Sequence, residues 1–295
     1  MRKKILLACA GMLFSQMASA SDTLPQRWIS AGGAFSEWVV ALGGESKLVG
    51  VDSTSQYPRS LQNLPAIGYQ RQLAAEGILA LRPDILVGSN EMGPPPVLEQ
   101  LKASGVRIAL LSAKADLPAL QHNLTTLGQL LGKQAQAQSL LADYQQRLQQ
   151  QAAAVKQAQQ QYPAPRVLML LSHSGGNLQV AGKDTLATWM IEQAGGKSLG
   201  EHSGYKPVSS EAMLALDPEV ILFAGGRLQG DAARAALLEQ NPLLAQTQAG
   251  RNGRVQVIDP TLLIGGLGPR VPDTLTTLTM AFYPKAKALS AEASQ

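Results

Sequence analysis

The chain has 295 residues, 45% of them hydrophobic and 16% charged, with 25 basic against 21 acidic side chains for a formal charge of +4. That length leaves room for two domains, and the small positive excess gives no reason to expect a nucleic-acid partner. The single cysteine, Cys9, excludes a disulfide framework.

The first residues read as an export signal. MRKK is a basic start, ILLACAGMLF a short apolar run, and ASA at 18–20 a small-residue cleavage site. The run is too short, and ends too soon, to cross a membrane in the mature protein. A lipoprotein reading would make Cys9 the acylated residue, but Cys9 stands too close to Lys4 to leave an apolar stretch before it. Cleavage after Ala20 leaves a mature chain with no cysteine. It also removes Arg2, Lys3 and Lys4, which brings the charge close to neutral.

Short strands then alternate with helices. RWISA, KLVGVD, PDILVGS and VRIALLS are aliphatic or β-branched, whereas FSEWVVALG, LAAEGILAL and PPVLEQLKASG have helical spacing and end near Gly or before Pro. Helices covering a mostly parallel sheet are expected. DLPALQHNLTTLGQLLG reads as an amphipathic helix begun by Asp116. The next 29 or so residues, KQAQAQSLLADYQQRLQQQAAAVKQAQQQ, contain no Gly or Pro. Leu140, Leu141, Tyr144, Leu148 and Val155 recur at helical spacing there, which predicts a rigid helix roughly 40 Å long rather than low-complexity coil. It stops at Tyr162-Pro163-Ala164-Pro165. The alternation resumes with RVLMLLS, TLATWMIEQAGG, PEVILFAG and RVQVID, and closes with the helix in PRVPDTLTTLTMAFYP. The expected fold class is α/β, with two lobes of mostly parallel sheet joined by one long helix. After the signal at 1–20, the first lobe covers 21–132, the linking helix 133–162 and the second lobe 163–295.

One phrase occurs twice. EGILALRPDILV at 76–87 and EAMLALDPEVIL at 211–222 share the frame E-x-x-L-A-L-x-P-acid, and a tyrosine precedes each, in GYQRQLAA and GYKPVSS. Each copy predicts a helix feeding a strand, with Leu79, Leu81, Leu214 and Leu216 facing the sheet. Pro83 and Pro218 stop the helices. Any α/β protein can hold one such unit; two in register point to lobes of like topology.

The paired phrase, the long helix and the export signal resemble the periplasmic substrate-binding proteins of ABC importers for haem, siderophores and cobalamin. GYQRQLAAEGILALRPDILVGSNEMGPP, LSHSGGNLQVAGKDT and LLIGGLGPR are similar to the haem-binding branch. The resemblance covers essentially the whole mature chain. It implies a monomeric periplasmic protein that binds ferric haem in the cleft between its lobes and delivers it to the permease subunits of an inner-membrane importer, with an outer-membrane receptor upstream. It also implies that Tyr69 is the iron ligand. A phenolate is a hard anionic donor suited to Fe(III), but a free tyrosine ionises only near pH about 10. The iron and a nearby cation must help, and Arg71, two residues along an extended loop, can share the face of Tyr69. The plainer alternative is a turn tyrosine beside Gly68 with an exposed arginine.

Arg227 in AGGRLQ and Arg270 in GPR follow glycine-rich turns, where α/β folds place ligand contacts, and are candidates for the propionates. A solvated surface charge is the alternative for each. His173 in LSHSGG is a candidate for a second, stacked haem, or for a hydrogen bond to loop backbone. Tyr205 is a weaker candidate for the cleft wall, and no role suggests itself for His122 or His202. In the family, glutamates at the positions of Glu76 and Glu211 dock onto permease arginines; both are also simply suited to the first turn of a helix.

A siderophore or cobalamin carrier would use the same scaffold. A zinc or manganese carrier would need more clustered ligands than three scattered histidines provide. Catalysis is not expected. Ser172 and Ser174 flank His173 on a strand whose neighbours face opposite ways, there is no G-x-S-x-G elbow, and GGKS at 195–198 lacks the first glycine of a phosphate loop.

Overall fold

The structure is a computed structural model and describes residues 24–172, 177–225 and 230–286. The first lobe runs β1 (Trp28–Ala31), α1 (Gly33–Ala41), β2 (Leu48–Val51), α2 (Ala75–Ala80), β3 (Ile85–Ser89), α3 (Pro95–Ala103), β4 (Arg107–Leu111) and α4 (Leu117–Leu131). Its sheet has the order β2-β1-β3-β4, and every pairing is parallel. The linking helix α5 spans Gln134–Gln159. The second lobe follows as β5 (Arg166–Ser172), β6 (Gln179–Ala181), α6 (Leu186–Gln193), β7 (Lys197–Ser198), β8 (Tyr205–Pro207), α7 (Ser210–Leu216), β9 (Val220–Gly225), α8 (Gly230–Gln240), α9 (Gln248–Arg251), β10 (Val255–Val257) and α10 (Val271–Phe282). Its sheet runs β10-β9-β5-β6-β8, with β7 beside β5. β10, β9, β5 and β7 are parallel, while β6 and β8 add an antiparallel extension.

Local chemistry sets the helix ends. Asp116 caps α4 by accepting from the Ala119 amide at 2.7 Å, and α4 closes at Gly132, whose φ of 68° is left-handed. The 26 residues of α5 give a rod about 39 Å long. Its buried stripe is Ala137, Tyr144, Gln151, Val155 and Ala158. Of the residues expected to face the core, Tyr144 and Val155 do so fully. Leu140, Leu141 and Leu148 flank it half-buried, because α5 lies along the side of both lobes and offers them a narrow face. Gln151 is satisfied there by Thr279 and by the Leu275 carbonyl of α10. The lobes share one core in which Trp28, Phe35 and Trp38 of the first are continuous with Val167, Met190 and Leu275 of the second.

The repeated phrase is one structural unit built twice. In both copies the fully buried helical residue is the one just before the leucine, Ile78 in α2 and Met213 in α7. Leu79, Leu81, Leu214 and Leu216, expected to face the sheet, are only half-buried, because helices of six and seven residues bury a narrow face, Ala75 and Ile78 in α2 and Met213 in α7. Each helix ends at a non-glycine residue with positive φ, Arg82 (48°) and Asp217 (39°), immediately before its proline. The following acid then grips the first strand of its own lobe. Asp84 accepts from the amides of Gln26 and Arg27 at 2.7 and 2.9 Å, and Glu219 accepts from the amide of Arg166 at 2.8 Å. The arginine side chains reply in kind. Arg27 donates to the carbonyls of Arg82 and Leu81 (2.9 and 2.7 Å), and Arg166 to those of Leu216 and Asp217 (2.9 and 2.5 Å). These carbonyls end a helix and have no partner within it, so the arginines serve as C-terminal caps.

Arg166→Ala should lower stability in urea unfolding by about 1–3 kcal/mol, since it orphans two carbonyls that a charged donor satisfies. Arg27→Ala, at a more exposed site, should cost less. Arg166→Lys should recover only part of the loss, because an ammonium lacks the planar fork that reaches both carbonyls.

Candidate functional site

In both sheets the parallel strands carry their carboxyl ends to the face where the lobes meet, which is where open α/β sheets bind ligands. Past β2, Asp52 is buried and accepts from the Gly32 amide at 2.9 Å, from the Ser55 hydroxyl at 2.8 Å and from the Thr54 hydroxyl with both oxygens. Thr54 in turn accepts from the Gly33 amide at 3.0 Å, so this carboxylate and its neighbour fix the start of α1. Ser36 adds contacts to Ser30 and Ser55 at 2.8 and 2.6 Å. The same segment holds the next turn of chain, because the Ser53 amide donates to the Gly68 carbonyl at 2.8 Å.

Gly68 has a φ of 88°, a left-handed conformation that places Tyr69, half-buried, at the rim. The Gln72 amide closes a turn onto the Tyr69 carbonyl at 2.8 Å. Gly93 donates to the Gln70 carbonyl at 3.0 Å and accepts from Leu73 at 2.7 Å, so the tyrosine loop is stitched to the loop after β3. Behind Tyr69, Gln70 is 2% exposed, and its Oε1 has no partner among the described residues.

Arg71 leaves the same loop and pairs through Nη2 with Glu91 Oε2 at 2.7 Å. This hydrogen bond, the charge of Glu91 and the nearby Tyr69 raise the pKa of Arg71 above the ordinary arginine value. Arg71 stands two residues beyond Tyr69 on the same loop. From the other lobe, Tyr205 on β8 is pushed above the usual tyrosine range by burial and further by the charge of Glu91. Beside this rim lies a cavity of about 510 Å³ lined by both lobes, with Asn90, Glu91, Lys114 and His122 from the first and Asp184 and Leu186 from the second.

Arg270 lies elsewhere and corrects the expectation placed on it. It is neither a solvated charge nor free for a ligand. Its guanidinium spans Glu37 (Nε to both oxygens at 3.0 Å, Nη2 to Oε1 at 2.5 Å), Asp259 (2.7 Å) and Thr261 (2.9 Å), and it lies 4.5 Å over the Tyr57 ring. Glu37 belongs to α1 in the first lobe, whereas Asp259 and Thr261 belong to the second. Burial pushes the Glu37 carboxyl up against the pull of Arg270. Burial also opposes the Arg270 charge, but Glu37 and Asp259 outweigh it. The Trp38 indole donates to the Leu267 carbonyl at 2.8 Å and the Ala34 amide to that of Ile264 at 3.2 Å, so LLIGGLGPR joins the lobes.

Glu76 and Glu211 are exposed in the first turns of α2 and α7, each two residues before the buried side chain of its helix. Own-backbone and Ser209 hydrogen bonds hold the Glu211 carboxyl below the usual range. His202 contacts the Val180 carbonyl at 3.1 Å. His173 and Arg227 lie outside the described residues. Sequence reasoning missed Asp52 and Glu91. Asp52 carried a signal, an acid followed by Ser-Thr-Ser just past a strand, but Glu91 carried none that separates it from a loop carboxylate.

A family model described as periplasmic binding protein matches residues 29–262. A periplasmic haem-binding protein from Pseudomonas aeruginosa has a structure similar to this one at 61% identity, with TM-score 0.87 over 90% of this chain and 95% of that one. The periplasmic haem-binding protein HutB of Vibrio cholerae is similar at 36% identity and TM-score 0.75, over 88% of this chain and 99% of that one. A cobalamin-binding protein of Halobacterium salinarum is 26% identical over 91% of this chain and 72% of its own length. The aligned span takes in both lobes, the linking helix and the tyrosine rim, and the chain belongs to the periplasmic binding protein family, whose members serve transport rather than catalysis.

Proposed function

We propose that this protein binds ferric haem between its lobes and delivers it to an ABC importer of the inner membrane. The arrangement that carries the reading is Tyr69 on a pinned loop at the rim, with the Arg71 charge beside it. A phenol so placed suits Fe(III), whereas a cobalamin or siderophore carrier has no comparable need for a tyrosine next to a cation. Likeness to haem-binding proteins at 61% and 36% identity supports haem over cobalamin, which enters through a relative at 26%. His173 and Arg227 follow the carboxyl ends of β5 and β9 in sequence, so they are the second-lobe candidates for a further haem and for the propionates. The protein is exported by the signal at 1–20, cleaved after Ala20, and works as a monomer that receives haem passed inward by an outer-membrane receptor.

An absorption spectrum of residues 21–295 mixed with ferric haem, with cobalamin as the control, tests the cargo. The expected result is a Soret band with the charge-transfer feature of an iron phenolate and no change with cobalamin. Tyr69→Phe keeps the ring and loses the oxygen. It should abolish the charge-transfer feature and weaken binding by more than the roughly 10–100-fold typical of losing a supporting partner. A Phe variant with unaltered spectrum and affinity would show that Tyr69 is not the ligand.

Glu76 and Glu211 are proposed as the permease contacts, one per subunit of a transporter with two-fold symmetry. Losing one partner of a charged interface pair typically costs about 2 kcal/mol or more. The double variant Glu76→Ala, Glu211→Ala should bind haem as the parent does and fail to support uptake into vesicles carrying the cognate importer. Normal uptake would leave both as helix-start residues only.

A further inference from the structure

We infer that Glu91 is a positioning residue that holds Arg71 in check, so that the tyrosine rim binds its cargo tightly yet releases it. The inference rests on Tyr69 being the iron ligand. Arg71 and Glu91 stand on two loops whose backbones are stitched together through Gln70, Leu73 and Gly93, and the Glu91 amide is itself fixed on the Ser89 hydroxyl at 3.1 Å. Their pairing is therefore set by the fold. It is also easily exchanged: it consists of a single contact, with the two side chains 55% and 42% exposed, and such pairs contribute little to stability.

Three kinds of group compete at this point. Arg71 is the cation two residues from Tyr69 on the same pinned loop. Glu91 neutralises part of its charge for as long as it holds the guanidinium. A haem brings two carboxylates of its own, which repel Glu91 and compete with it for Arg71. Tyr205 from β8, and Lys114, His122 and Asp184 around the adjoining cavity, are the other titratable groups near Glu91. None of them takes Arg71, so Glu91 alone among the described residues forms an ion pair with it.

Removing the Glu91 charge should thus leave Arg71 fully available to the phenolate and to the cargo. Glu91→Gln, which keeps the shape, should tighten binding of ferric protoporphyrin IX roughly two- to fivefold, the range an exposed ion pair allows. It should also slow release to an apo-haem acceptor in proportion. Glu91→Asp, which keeps the charge, should behave like the parent. In an Arg71→Ala background, Glu91→Gln should no longer bring any gain, as expected for two residues acting as a coupled pair.

Unchanged affinity and release rate in Glu91→Gln would overturn the inference. So would a gain of the same size in the Arg71→Ala background, since Glu91 would then act without Arg71. Tyr69→Phe measured alongside separates the two levels. If it keeps the charge-transfer band, the ligand assignment fails; if it loses the band while Glu91→Gln stays silent, only the role of Glu91 fails.

Discussion

A guanidinium can be buried only if its donors are met, and Arg270 meets them by reaching across both lobes. Desolvating Arg270 and Glu37 is costly, and a well-packed apolar pair could serve stability as well. What the ion pair adds is geometry. A forked donor on a carboxylate fixes direction as well as distance, so the start of α1 is held against the segment between β10 and α10. Together with α5, this gives the lobes two separate connections, one a continuous helix and one a buried polar joint. A rigid-body hinge would have to bend α5 and break the joint at once.

Within each lobe the equivalent constraint is the exchange between the repeat and the first strand. An acid grips strand amides while an arginine from that strand caps the helix, and the unit recurs with Asp84 and Arg27 in one lobe and Glu219 and Arg166 in the other. Because the clamp sits at the end of each helix, it sets the helix axis and with it the direction of the glutamate in the first turn. Two exposed carboxylates are thereby presented in the same local frame on each lobe.

Much of this was legible in the sequence because it was written in periodicity and punctuation. The parallel strands, the Asp116 cap, the long helix and the doubled phrase all showed as patterns of spacing and of Pro and Gly. The antiparallel extension of β6 and β8 and the short parallel β7 did not show, since strands of two or three residues, QVA, YKP and KS, are too short to display alternation. The site was less legible than the fold. Tyr69 stood out through its motif, but the roles of Arg270 and Glu91 depend on partners 233 and 20 residues away in sequence. No local pattern distinguishes an arginine that meets a buried glutamate from one that meets solvent.

The comparison of those two arginines shows what the molecule has done with one residue type. Arg270, with its side chain 18% exposed, makes a forked, multiply satisfied contact with a glutamate that is 4% exposed. Arg71, 55% exposed, makes a single contact with a carboxylate that water also reaches. Water reaches both ends of the second pair freely but is nearly excluded from the Glu37 end of the first, so the first is harder to exchange than the second. A transport protein needs both kinds of contact. Where the lobes are joined, an exchangeable pair would let the rim drift out of register. At a rim that holds haem as proposed, a pair that never exchanged would keep the cation from the cargo. The depth at which each arginine lies, rather than its chemistry, assigns Arg270 to the frame and leaves Arg71 within reach of water.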